Sequence, residues 1–257
     1  MQRSRLAAAT CLGLAVAASS HAATFVALTD DGSLHRFDSE SKTVTYSVKP
    51  SGPDAALRGI DLRPADGKLY ALGQDNALWS IELASGVATR VSTVSVPVPA
   101  GPVVVEFNPV ADRMRILAAG GVSLRVNVET GAAMTDGSLK YGEAGGTPRV
   151  EAAAYSFSAS GVKPAATKLY DLDLGMGALM LQDPPNEGVL KPIGKVALPK
   201  DSAPAFDIES DGTAANQGWL LAGGNLYRID IATGAVAKDG AVKGIRGKVV
   251  DLAVIGR

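Results

Sequence analysis

Residues Arg58 to Gly73 read RGIDLRPADGKLYALG, and Val105 to Ala119 read VEFNPVADRMRILAA. Both are a strand, a tight turn and a second strand, and almost every residue differs between them. A phrase restated this way marks a repeat architecture, and the repeat length selects which one. A first-strand column runs through GIDLRP (Gly59 to Pro64), VEFNP (Val105 to Pro109), AAAYS (Ala152 to Ser156), FDIES (Phe206 to Ser210) and VDLAV (Val250 to Val254). Anchored on Leu62, Phe107, Tyr155, Ile208 and Leu252, the copies are spaced by roughly 45, 48, 53 and 44 residues, the length of one propeller blade.

A second-strand column follows the first four copies: KLYAL, RMRIL, KLYDL and GWLLA. A fifth, FVALT from Phe25, has no first strand ahead of it. A Gly, Asp or Asn turn then leads into a third strand, as in DGSLHRF, DNALWSI and GNLYRI, because tight hairpins need residues that accept positive φ. Ser85-Gly86, Thr130-Gly131 and Thr233-Gly234 introduce a polar fourth strand, suited to an edge facing water. Sustained helical periodicity is absent.

The ends decide between an open array and a ring. The N-terminal copy lacks a first strand, and the C-terminus, GKVVDLAVI, is a first strand with nothing after it. Pairing Val249 to Ile255 with Phe25 to Thr29 completes a composite blade and removes two exposed edges. The expected fold is all-β: a five-bladed β-propeller of four-stranded antiparallel blades, closed by the C-terminal strand. Identity drifts within the phrase because a blade needs only apolar side chains alternating on both faces.

The segment before the first repeat, MQRSRLAAATCLGLAVAASSHAATF, has a basic start (Arg3, Arg5), an apolar run from Leu6 to Ala18 too short for a membrane span, and small residues at Ser20-His21-Ala22. It reads as a signal peptide over 1–22, leaving one domain over 23–257 and an exported protein, periplasmic or extracellular. Cys11 lies inside the apolar run, so it is a poor lipidation site and leaves with the peptide. The mature chain then has no thiol chemistry. Loss of Arg3 and Arg5 leaves 23 basic residues against 26 acidic, about −3, with the signs interspersed. That balance argues against a nucleic-acid partner, no further run can span a membrane, and a monomer is expected.

VEFNPVADRMRILAAGGVSLRVNVETGA with DGSLKY, then PRVEAAAYSFS, then TKLYDLDLGMGALMLQDPPNEGVLKPIG together resemble the exported proteins grouped as domain of unknown function 4394. The QDPPNEG turn is the most specific element, since the other four blades lack it. The resemblance spans nearly all of the mature chain and implies a bacterial exported or cell-surface propeller-like module. It brings no reaction, substrate or catalytic residue.

One column carries charge. Asp61, Glu106, Ala154, Asp207 and Asp251 precede the anchoring residues of the first strands. With first strands at the axis, the four carboxylates Asp61, Glu106, Asp207 and Asp251 gather near a channel. As metal ligands they would suit a hard cation such as calcium. As structural groups, the favoured reading, each accepts hydrogen bonds from the next blade's backbone and no cofactor is needed. Ala154 interrupts both versions. His35 has no partner motif and is read as a surface or blade-face residue rather than a base. One remaining histidine and no cysteine make zinc a poor fit. A paired-carboxylate glycosidase needs no local motif, so Asp61, Glu106, Asp171 and Asp207 remain its candidates.

Trp79, Tyr70, Tyr170, Trp219 and Tyr227 fall on second and third strands and are expected in the inter-blade core. Four insertions offer recognition loops: Val96 to Val103, Ser138 to Arg149, Ser156 to Lys168 and Gln182 to Gly188. The functional expectation is a non-enzymatic binding or scaffold module recognising a protein, a glycan or a small molecule. The alternative is a carbohydrate hydrolase or lyase using carboxylates at the channel mouth.

Overall fold

The computed structural model describes residues 22–142, 146–199 and 202–256. The segment read as a signal peptide lies outside the described residues, apart from Ala22. Blade 1 holds β1 (Thr24–Thr29), β2 (Leu34–Asp38), β3 (Tyr46–Val48) and the last strand, β20 (Val249–Gly256). Blade 2 is β4 (Leu57–Leu62), β5 (Leu69–Gly73), β6 (Ala77–Ile81) and β7 (Ala88–Thr93). Blade 3 is β8 (Val103–Asn108), β9 (Arg113–Ala118), β10 (Val122–Val126) and β11 (Ala133–Thr135). Blade 4 is β12 (Val150–Tyr155), β13 (Leu169–Asp173), β14 (Ala178–Gln182) and β15 (Leu190–Lys195). Blade 5 is β16 (Ala205–Ser210), β17 (Asn216–Ala222), β18 (Asn225–Ile229) and β19 (Val236–Ala241).

Each blade is a four-stranded antiparallel sheet, and the five first strands, β20, β4, β8, β12 and β16, neighbour one another in a closed ring. The fold is a five-bladed β-propeller. Its closure is the expected one: β20 pairs antiparallel with β1, Phe25 opposite Val254 and Leu28 opposite Asp251.

Second strands are buried on both faces because each face packs against a neighbouring blade. All five residues of β5 and of β13 are buried, whereas the outer strands β7 and β15 are mostly exposed or half-buried. The apolar clusters lie between blades. Tyr70 and Leu72 of blade 2 meet Val105, Phe107 and Met114 of blade 3, with the Tyr70 and Phe107 rings edge to face at 5.4 Å. Phe25 of blade 1 stacks on Phe37 and meets Trp219 of blade 5 edge to face. Tyr70, Tyr170, Trp219 and Tyr227 are thus core residues, and Trp79 is half-buried.

A glycine before a fourth strand can also serve the circumference. Gly131 has φ of 73°, and a Cβ there would stand 1.9 Å from the Thr93 carbonyl of blade 2. Only glycine allows that turn to lie against the preceding blade's outer strand, where Ser95 N–H donates to the Gly131 carbonyl.

The composite blade corrects one alignment. Asp61, Glu106, Ala154 and Asp207 pair with Tyr70, Arg115, Tyr170 and Trp219 at one level of their blades. Asp251 pairs with Leu28, the counterpart of Leu72, whose own partner is Gly59. Asp251 therefore stands two residues earlier along its strand than the others, and Ala253, opposite Val26, occupies the shared level.

Candidate functional site

The first strands bring their carboxylates inward, and the backbone takes them up. Asp61 Oδ2 accepts the Phe107 N–H of blade 3 at 2.6 Å, and its Oδ1 accepts the N–H of Leu62. Asp207 Oδ2 accepts the Val254 N–H of blade 1 at 2.6 Å, and its Oδ1 accepts that of Ile208. Asp251 does the same one step lower, to Ile60 of blade 2 and its own Leu252, both at 2.9 Å. Glu106 accepts from the Tyr155 backbone of blade 4. Four of the five interfaces thus carry one staple each. Ala154 leaves the fifth, between blades 4 and 5, without one; there Phe157 N–H donates to Asn216 Oδ1 at 2.7 Å.

Burial raises the pKa of all four acids. Asp61 and Glu106 are held well above the usual carboxylate range, Asp207 is pushed up to about 7 and Asp251 to about 8. Neighbouring carboxylates add to burial at Asp61, Glu106 and Asp251, while the backbone donors pull in the opposite direction. The axial cluster therefore holds protons near neutral pH. Among the described residues, no group of three or more His, Cys, Asp or Glu side chains is gathered to hold a metal ion.

A cavity of about 210 Å³ opens at the end of the ring where the first strands finish. Asp61, Asp207, Glu209 and Ser210 line it from the blades, and Ser158 and Ser160 line it from the segment after β12. Glu209 Oε2 accepts the indole N–H of Trp219 at 3.0 Å, which ties the one wall of the cavity to a core tryptophan.

The four insertions divide by what they touch. Val96 to Val103 is pinned inward, with Val98 buried and the Arg58 guanidinium donating to the carbonyls of Pro99 and Gly101. Gln182 to Gly188 docks on blade 3: Gly137 N–H donates to the Asn186 carbonyl, Lys140 N–H to that of Gly188, and Arg115 Nη2 to Asn186 Oδ1. Ser138 to Arg149 supplies the other half of that contact, and its residues 143–145 lie outside the described residues. Among the described residues, Ser156 to Lys168 alone of the four lines the axial cavity.

Two groups lie elsewhere. Asp171, a candidate acid, is buried between blades 3 and 4 away from the cavity, in the company of the buried Arg115, and is pushed up to about 8 chiefly by burial. Arg115 itself is held by Asp136, Ser123, Asn186 and Tyr155, a network whose members are separated by up to 71 residues and left no local signal. His35 lies on a blade face, 2% exposed, with Nδ1 2.8 Å from Ser47 Oγ and Nε2 3.2 Å from the Arg246 carbonyl.

A family model described as Domain of unknown function (DUF4394) matches residues 33–253. A crystal structure of a protein of unknown function from Bacteroides thetaiotaomicron VPI-5482 superposes with a TM-score of 0.59 at 16% identity, covering 93% of this chain. This chain spans 63% of that protein's length, and at such identity the likeness is one of fold. No curated protein matches the sequence. Among the described residues no helix is long and apolar enough to cross a membrane.

Proposed function

The chain belongs to the DUF4394 family, and from that premise we propose that it is an exported, non-enzymatic binding module whose ligand seat is the axial cavity beneath Ser156 to Lys168. The export part rests on the N-terminal pattern of Arg3, Arg5, a short apolar run and Ser20-His21-Ala22. The observation that carries the binding part is the cavity's polar lining, which brings Asp61, Asp207, Glu209 and Ser210 of the blades together with Ser158 and Ser160 of the segment after β12.

Asp61 and Asp207 are committed to backbone donors. Recognition therefore falls to Glu209 and the serine hydroxyls, which suit a small ligand rich in hydrogen-bond donors, an amine or a hydrated divalent cation. The volume of 210 Å³ corresponds to about seven waters at ~30 Å³ each. It is below the span of pockets that hold drug-sized molecules. A polymer reaches it only with its end.

The carbohydrate-hydrolase reading keeps one favourable observation, since Asp61 and Asp207 share the cavity. Against it, all four of their carboxyl oxygens already accept backbone N–H groups, so neither acid is placed to serve as a free nucleophile.

Trp219 provides the readout. Titration with calcium and, separately, with ethanolamine is expected to change tryptophan fluorescence saturably for one of them and to raise the melting temperature by mass action. Glu209→Gln is expected to weaken that response. Absence of a saturable response to either probe, with Glu209→Gln indistinguishable from the parent, defeats the reading. Release of reducing sugar from glycosides would favour the hydrolase instead.

A further inference from the structure

The segment over the cavity is built differently from the other insertions. It leaves blade 4 at Ser156, which is buried, and returns at Leu169, also buried, yet none of the residues from Phe157 to Lys168 is buried. Both legs are clamped at the base. Ser156 N–H donates to the Lys168 carbonyl, Lys168 N–H to Ser156 Oγ, and Thr167 Oγ1 to the Ser156 carbonyl. The span beyond that clamp can lift without loosening β12 or β13.

Its outer half crosses the axial mouth rather than pointing into solvent. Ala159 and Val162 form a short antiparallel bridge with Gly161 at the bend, φ 74°. Gly161 N–H donates to the Pro64 carbonyl of blade 2 at 2.8 Å, so the segment reaches a blade that does not adjoin blade 4 in the ring. On blade 5, Gly212 makes room for the segment, since a Cβ there would stand 2.6 Å from Val162 Cγ1. At its start, Phe157 sits in the left-handed region at φ 58°, with its N–H held by Asn216 of blade 5. A few polar contacts and no buried side chain hold the closed position, the condition under which local opening is low in free energy.

Resting on the axial cavity as the ligand seat, we propose that Ser156 to Lys168 is a hinged strap that gates the cavity, latched to blade 2 by the Gly161–Pro64 hydrogen bond and contributing Ser158 and Ser160 to the ligand. Opening admits a small polar ligand between the strap hydroxyls and the blade carboxylates. Because Ser158 and Ser160 line the cavity only in the closed position, a ligand touching them shifts the strap toward closure.

The gate is testable without any ligand. Once Cys11 has left, the mature chain has no cysteine, so Leu62→Cys on the cavity wall becomes a single reporter for a small thiol reagent. In the intact strap its labelling is expected to be slow. Gly161→Pro removes the latch N–H and cannot adopt the positive φ, and it is expected to speed labelling by about tenfold, as loss of a latch holding a locally opening segment should. Replacing Phe157 to Thr167 with a short Gly-Ser turn sets the fully open rate. Should the intact protein label as fast as the strap-deleted one, or should Gly161→Pro leave the rate unchanged, the gate is wrong. A normal labelling series with no calcium or ethanolamine response would leave the gate standing and remove only the ligand classes.

Discussion

Asp171 on β13 lies fully buried between blades 3 and 4, and neither of its oxygens meets a hydrogen-bond donor among the described residues. Burial raises its pKa and the nearby Arg115 lowers it only in part, leaving the group at about 8. In the unfolded chain a free aspartate titrates near 3.8, so between those two values the folded state binds more protons than the unfolded one. Stability is then fully present below the unfolded pKa and falls as pH rises through about 8. Asp207 and Asp251, raised to about 7 and 8, act in the same direction. The protein is expected to melt higher at pH 5.5 than at pH 8.5. Asp171→Asn removes one contributor, so its gain over the parent should grow between pH 4 and 8 and then level off, reaching on the order of 5 kcal/mol. Melting curves across that range check it; a gain that shrinks with rising pH contradicts the assignment.

At the scale of strands and blades, the staples follow one rule: a carboxylate accepts the N–H one place further along the next blade's first strand. Asp61 to Phe107, Glu106 to Tyr155 and Asp207 to Val254 obey it at one level, and Asp251 to Ile60 obeys it a step lower. Where no staple arrives from behind, the N–H goes to its own blade's acid, as at Leu62 and Ile208. Asp207→Ala therefore strands two donors, the buried Ile208 N–H and the half-buried Val254 N–H, at about 1–3 kcal/mol each. The expected fall in melting temperature is roughly 5–15 °C for a domain of this size. An unchanged midpoint would show that the staple is idle.

The column itself was legible, because blade repetition fixes which residues face the axis. The step of Asp251 was not. VDLAV alternates in the same phase whichever two-residue register it takes, and only pairing with β1 selects one. For the same reason His35 and the strap could be placed on a strand and a loop but not given their partners. Ser47 is the cross-strand neighbour of His35 in the β2–β3 hairpin, whereas Arg246 and Pro64 reach His35 and the strap only once the ring has closed.

At the scale of the whole molecule, the ring stores its continuity in blade 1. Every other blade is one unbroken stretch of chain, whereas blade 1 joins the two ends across the β1–β20 ladder. Opening the ring there breaks backbone hydrogen bonds and exposes Phe25, Leu28 and Leu252, all fully buried in the closed form. Removing Val249 to Arg257 is thus expected to abolish cooperative melting and promote association through the bared edge of β1. That result alone leaves open whether the strand is needed as core or as closure, and a circular permutant separates the two. Thr24 and Gly256 stand opposite each other, so a short turn can join the ends. New termini between Asp54 and Ala55, an exposed and a half-buried residue ahead of β4, then leave five continuous blades and no strand shared between the ends. If burial of β20 is what matters, the permutant keeps the parent's elution volume and melts close to the parent, by gel filtration and circular dichroism. If instead the composite blade is the clasp, the permutant keeps every contact yet loses the ladder as its closing lock, and its unfolding rate rises while its native spectrum is unchanged.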